Sequence, residues 1–336
     1  MNQGRRTVRD LAVLILVGVI CGCGDESGSS GTGGSGGAGG GVALQDEYIL
    51  SDQELVPESG SYDPVNRAFY VGSATEGSIT RVDADGTESL LFDPPPSSSL
   101  RTLGITIDAD ARRLWVCVQD TGVPSQSVWT FDLSTGERDI EFDLASAAAD
   151  ATCNDIALDS GGVAYVSDSA NPRVYRANVD GEAIEVWADD PLLASDTPNF
   201  GGNGIAVTDD DQYVLLSKTL PSSTSPRLLR IERANPQNIG GITTTPGITG
   251  SADGMSFLGG DLYLADVLSG EILRLTSEDA WGTATIATSM QANGTSTVRP
   301  AEGELHGIYS DINSSIFGNP LSPPFRIYRI DLASFE

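Results

Sequence analysis

Four side chains, Glu58, Asn154, Asn203 and Asp253, carry carboxylate or amide oxygens and open similar apolar segments: "ESGSYDP", "NDIALD", "NGIAVT" and "DGMSFL". Two carboxylates and two amide carbonyls make an all-oxygen set. That set suits a hard divalent cation, with water or substrate completing six or more ligands. A cation held this way acts as a Lewis acid on a carbonyl or phosphoryl oxygen. Asp253 is then a candidate to draw the proton from an attacking water. His306, the only histidine in the chain, opens the comparable segment "HGIY" and is a second candidate base. Any one of these residues alone would more often simply hydrogen-bond a connecting loop at a strand head. Their shared register is what makes the set informative.

That register comes from a repeat. Glu58, Leu103, Asn154, Asn203, Asp253 and His306 each head a unit, with 45 residues between the first two and 53 between the last two. Each unit opens with two short apolar strands, and "DADG", "DSGG", "TDDD" and "LGG" supply turn chemistry between short strands. A third strand follows: "SITRVD", "SVWTFD", "RVYRAN", "RLLRIE", "EILRLT" and "FRIYRID". A fourth follows in most units, as in "AIEVWAD". Six four-stranded antiparallel units at this period predict an all-β, six-bladed β-propeller. The sixth unit stops after its third strand, and "DEYILSD" near the other end matches the pattern of "TESLLFD". A strand at about 48–51 is therefore predicted to close the ring beside 327–331, protecting the sheet edges. In such a ring the six heads converge on the central channel. The Ser/Pro-rich loops "QDTGVPSQS", "SKTLPSSTSPR" and "FGNPLSPPF" are expected to wall a pocket for a small, uncharged ligand.

The motifs "PESGSYDP", "NDIALD", "NGIAVT" and "ADGM", in that order, resemble those of the senescence marker protein/gluconolactonase/luciferin-regenerating-enzyme family. The resemblance spans essentially all of 45–336. It implies a six-bladed propeller with a calcium-type ion held by Glu58, Asn154, Asn203 and Asp253, and hydrolysis of lactones, esters or organophosphates. The gluconolactonase branch has an arginine two residues before the first asparagine, where this chain has Thr152. The rival function is a non-catalytic binding propeller that uses the ion for rigidity, since a fold alone does not fix an activity.

Residues 1–22 read as an export signal, with Arg5, Arg6 and Arg9 ahead of the apolar run "LAVLILVGVI". "ICGC" then resembles a bacterial lipoprotein site, with Cys23 as the lipidated residue. Residues 23–44, rich in Gly and Ser, form a flexible tether, and 45–336 is the propeller domain. The expectation is an exported lipoprotein of the cell envelope, touching the membrane only through its lipid, with a monomeric domain and a small-molecule substrate. With 47 acidic against 19 basic residues and a net charge of −28, nucleic acid is excluded as a partner. Cys117 and Cys153 are able to pair in an oxidising compartment, but two separately buried thiols are the favoured reading, because the sequence alone does not bring their Cα atoms within range.

Overall fold

The computed structural model describes residues 42–123, 126–194, 201–219 and 225–335. The residues read as an export signal, Cys23 and nearly all of the expected tether lie outside the described residues. Among those described, no helix is long and apolar enough to cross a membrane.

Six antiparallel sheets stand around an axis, as the repeat predicts, with one short α-helix, Ile312–Phe317, and a few 3-10 turns among the described residues. The innermost strands of blades one to six are Gly60–Asp63, Leu100–Asp108, Cys153–Leu158, Gly202–Val207, Ala252–Leu258 and Thr295–Ala301. Each packs on the next, and the last returns to the first. Blade five gains a fifth strand, Thr243–Thr245, paired parallel on its outer edge. Blade six is built from both ends of the fold: Glu47–Ile49 pairs antiparallel with Arg326–Ile330, setting Tyr48 opposite Ile327. The predicted ring closure is therefore present.

The sixth unit needs a correction. Its innermost strand is Thr295–Ala301, and His306 lies on the second strand, Glu304–Tyr309. The segment "INSSIF" that follows it, where the repeat calls for a second apolar strand, is the short helix. Five of the six expected heads hold their register, and His306 does not.

The core is divided among the blades. Trp115, Val128 and Phe142 of blade two meet Ile156, Val166 and Tyr175 of blade three, and five comparable clusters fill the other interfaces. Burial of each large side chain stabilises by about 1.5–3 kcal/mol, so the ring is held by its interfaces. Ion pairs add latches between blades. Asp63, whose side chain is fully buried, accepts from Arg112 Nη1 at 2.5 Å and Nη2 at 2.7 Å. Glu302 of blade six takes Arg67 of blade one, with Nε at 2.6 Å.

Burial pushes the Asp63 carboxyl up, but Arg112 and the backbone N–H of Val65 outweigh it, and the group rests below its ordinary value of 3.8. The native state thus binds fewer protons, and this stabilisation is present above pH 3.8 and lost as pH falls through the lowered value. Asp63→Ala is expected to cost about 3–5 kcal/mol at neutral pH by leaving Arg112 without its partner. Denaturant unfolding at pH 7 and at pH 3 reads this, and an equal cost at both would contradict the assignment.

Candidate metal centre in the channel

The heads of the inner strands are β-bulges. The ladder skips between Thr102 and Ile105, Cys153 and Ile156, Gly202 and Ile205, and Ala252 and Met255. A bulge re-aims the side chain it carries. Leu103, Asn154, Asn203 and Asp253 occupy these four bulges and, with Glu58, line one cavity of about 510 Å³. The glycine of "NGIAVT" follows from the same crowding. A Cβ on Gly204 would stand 2.1 Å from the carbonyl oxygen of Asp253 in the next blade. A Cβ on Gly254 would meet Thr297 Oγ1 at 2.0 Å.

Each polar head is tied to the blade before it. Ser296 Oγ donates to the Glu58 carbonyl at 2.6 Å, Ser167 Oγ to that of Asn203 at 2.6 Å, and Ser217 Oγ to that of Asp253 at 3.2 Å. Asn154 has a covalent counterpart: Cys117 and Cys153 form a disulfide between blades two and three, with Cα atoms 5.5 Å apart. Gln119 Nε2 also donates to the Cys153 carbonyl at 2.9 Å. The reading of two separate thiols is corrected here. The propeller brings the two strands side by side at their channel ends, which 35 intervening residues of sequence do not reveal.

The side-chain oxygens are poised and unsatisfied. Glu58 Oε2, Asn154 Oδ1 and Asn203 Oδ1 are buried without a hydrogen-bond partner. Asn203 Nδ2 donates to Thr219 Oγ1 at 2.6 Å, which fixes the amide orientation. Buried acceptors with no donor are costly. Carboxylates crowd the same place: burial raises Glu58 well above its ordinary value, and the charges of Asp253 and Asp155 raise it further. Asp253 is pushed up to about 7, by burial first and then by Asp155, against a hydrogen bond from Asn203 and the charge of Arg299.

Arg299, on the innermost strand of blade six, is the cation that opposes this crowding. It is 8 % exposed and donates to the Gly60 carbonyl at 2.8 Å, the Met255 carbonyl at 3.0 Å, Ser59 Oγ at 3.1 Å and Asp155 Oδ1 at 3.3 Å. It also borders a second cavity of about 210 Å³, lined by residues further along the inner strands such as Leu158 and Val207.

A cation fits this donor set, because it would satisfy the orphaned oxygens and relieve repulsion between carboxylates. Among the described residues no three His, Cys, Asp or Glu side chains gather to hold a metal ion, so two of the ligands here would be amide oxygens. His306 does not line the cavity. Its imidazole is fully buried against Phe69, ring centroids 5.1 Å apart, with both nitrogens unpartnered. Burial lowers its pKa to about 4. The cavity also takes in Gln119 and Thr219, from two of the loops expected to wall it, and residues that the sequence did not mark: Arg101, and Ile312 and Ser315 from the short helix.

Six sheets around one axis place the chain in the six-bladed β-propeller class. Among solved structures, the chain is similar to the major Malassezia sympodialis allergen Mala s 1, at 15% identity and TM-score 0.68, covering 86% of this chain and 97% of that one. It is also similar to virginiamycin B lyase from Staphylococcus aureus, at 15% identity and TM-score 0.56, covering 78% of this chain and 80% of that one. A putative oxidoreductase (glucose dehydrogenase) from Thermus thermophilus matches at 15% identity and TM-score 0.57, covering 84% of this chain and 98% of that one. At such identities the likeness establishes the fold and no activity. No family profile and no curated protein sequence matches the chain.

Asp253 and His306 bend stability in opposite senses with pH. Without a cation, Asp253 binds its proton more tightly when folded, so its contribution is full below 3.8 and is lost as pH rises to about 7. His306 is held neutral, so its contribution is full above 6.5 and is lost as pH falls to about 4. In chelator, Asp253→Asn is expected to gain stability relative to wild type as pH rises across this range, and His306→Gln to gain as it falls. Thermal unfolding at pH 4.5, 5.5, 6.5 and 7.5 measures both. A flat difference for Asp253→Asn would contradict the crowding of carboxylates.

Proposed function

We propose that the protein is a divalent-cation-dependent hydrolase of small lactones or esters, with Ca2+ as the favoured ion. The observation that carries the reading is the convergence of Glu58, Asn154, Asn203 and Asp253 on one cavity, three of their oxygens being buried and unpartnered. These four residues would hold the ion, which when bound supplies Lewis-acid polarisation of the substrate oxygen. The resemblance of the four motifs to the gluconolactonase-type family points the same way.

The chain's own contribution is orientation and proton transfer. Thr219 fixes the Asn203 amide, the serines of the preceding blades fix three of the four backbones, and the disulfide fixes the fourth. Asp253 accepts the proton from the attacking water at a carboxylate oxygen, held beside the ion by the Ser217 contact to its backbone. Leu103 and Ile312 give the cavity an apolar side that favours an acyl chain.

The test uses the purified protein against small lactones and aryl esters, in chelator, after restoring Ca2+, and with Asp253→Ala. Hydrolysis that returns with the ion and falls at least about a hundredfold in the variant is expected. An ion that raises the melting temperature with no hydrolysis of any substrate would replace this reading with a binding propeller stabilised by a structural ion.

The export signal and "ICGC" further support a location in the cell envelope, with lipid on Cys23, and a disulfide accords with an oxidising compartment. Labelled palmitate is expected to be incorporated by the wild type in a bacterial host and not by Cys23→Ser. Equal labelling of the two would refute the anchor.

A further inference from the structure

The cavity contains a cation of its own. Arg101 lies on the innermost strand of blade two, opposite Gln119 in the register, and its exposed side chain lines the same cavity as the four oxygen donors. It stands two residues before Leu103, about 6–7 Å along the strand from the level of the bulges.

Its guanidinium is uncommitted. Acidic residues outnumber basic ones 47 to 19, and the other described arginines are engaged. Most bind carboxylates, as Arg67 does Glu302, Arg112 does Asp63 and Arg299 does Asp155. Arg227 and Arg230 bind backbone carbonyls. Among the described residues, Arg101 is the one arginine whose side chain makes neither an ion pair nor a hydrogen bond.

In so acidic a molecule an anionic ligand meets general repulsion, and a free guanidinium at the mouth is the group that would overcome it. Its planar fork matches a carboxylate in a bidentate arrangement. The geometry points to Arg101 as a specificity-determining residue that selects lactones or esters carrying a carboxylate a few bonds from the reacting carbonyl. This departs from the expectation of an uncharged ligand, and it rests on the hydrolase reading for the substrate's reacting group.

The experiment compares γ-butyrolactone with its γ-carboxylate, and phenyl acetate with monophenyl glutarate, on the Ca2+-loaded wild type, Arg101→Gln and Arg101→Lys. The wild type is expected to favour the carboxylate-bearing member of each pair by about 10- to 100-fold in kcat/KM, through KM. Arg101→Gln abolishes that preference, Arg101→Lys keeps part of it, and added salt weakens it. Equal rates for the two members in wild type, or a preference that survives in Arg101→Gln, would overturn the assignment. Calorimetric titration of glutarate into chelator-treated wild type and Arg101→Gln separates this proposal from the hydrolase reading. If nothing is hydrolysed, glutarate binding that depends on Arg101 sustains the anion site while the hydrolase reading falls. If nothing is hydrolysed and glutarate binding is absent or unchanged in the variant, the anion site falls too.

Discussion

Space at the axis is the constraint on which the rest of this structure depends. Six inner strands approach so closely that the backbone of one blade touches the next, leaving no room for a Cβ at Gly204 or Gly254. A regular strand cannot turn its side chains along that axis, and the bulges at Asn154, Asn203 and Asp253 let it do so. The same closeness lets a serine of one blade hold the carbonyl of the next. Polar heads, glycines and serines are consequences of one crowded ring.

Crowding also concentrates charge. Glu58, Asp155 and Asp253 share a buried region with Arg299, and one guanidinium cannot offset three carboxylates. All three carboxyls are raised above their ordinary values, burial being the first cause, and a second positive charge in the cavity would relieve the repulsion. Asp155 takes the direct contact with Arg299, which leaves Glu58 and Asp253 for whatever occupies the cavity. The neighbour of Asn154 in "NDIALD" thus differs in role from the glycines at the same step of blades four and five. It anchors the arginine that bridges blade six to blades one, three and five.

Much of this was legible in the sequence because the repeat forces it. Four oxygen donors in register and the closing strand near Tyr48 follow from pattern alone. The sixth blade was obscured by mimicry. "HGIY" copies the polar-glycine-apolar order of "NGIA", yet the atoms nearest a Cβ on Gly307 belong to the ring of Tyr328 in its own blade, so this glycine answers to a different neighbour. The true inner strand, "TSTVRPA", carries an arginine and a proline and does not look like a channel strand until Arg299 is seen with its partners. Arg101 and the disulfide were hidden for another reason. Each depends on which strands the ring sets side by side, and on which charges find partners, and neither leaves a periodic trace.

The composite sixth blade has a consequence for how the chain comes to work at all. Glu58 is made early, but the hydroxyl that holds its carbonyl belongs to Ser296, 238 residues later, and the strand beside Tyr48 comes later still. Five blades can assemble in succession as they emerge, while the first waits with an unfilled edge. The centre at the axis becomes whole only when the last strand arrives. A chain cut short before Ser296 leaves an open arc with a loose Glu58, and one cut between Ala301 and Arg326 leaves the strand at Tyr48 without its partner, so completeness of synthesis is itself a condition of assembly for the site.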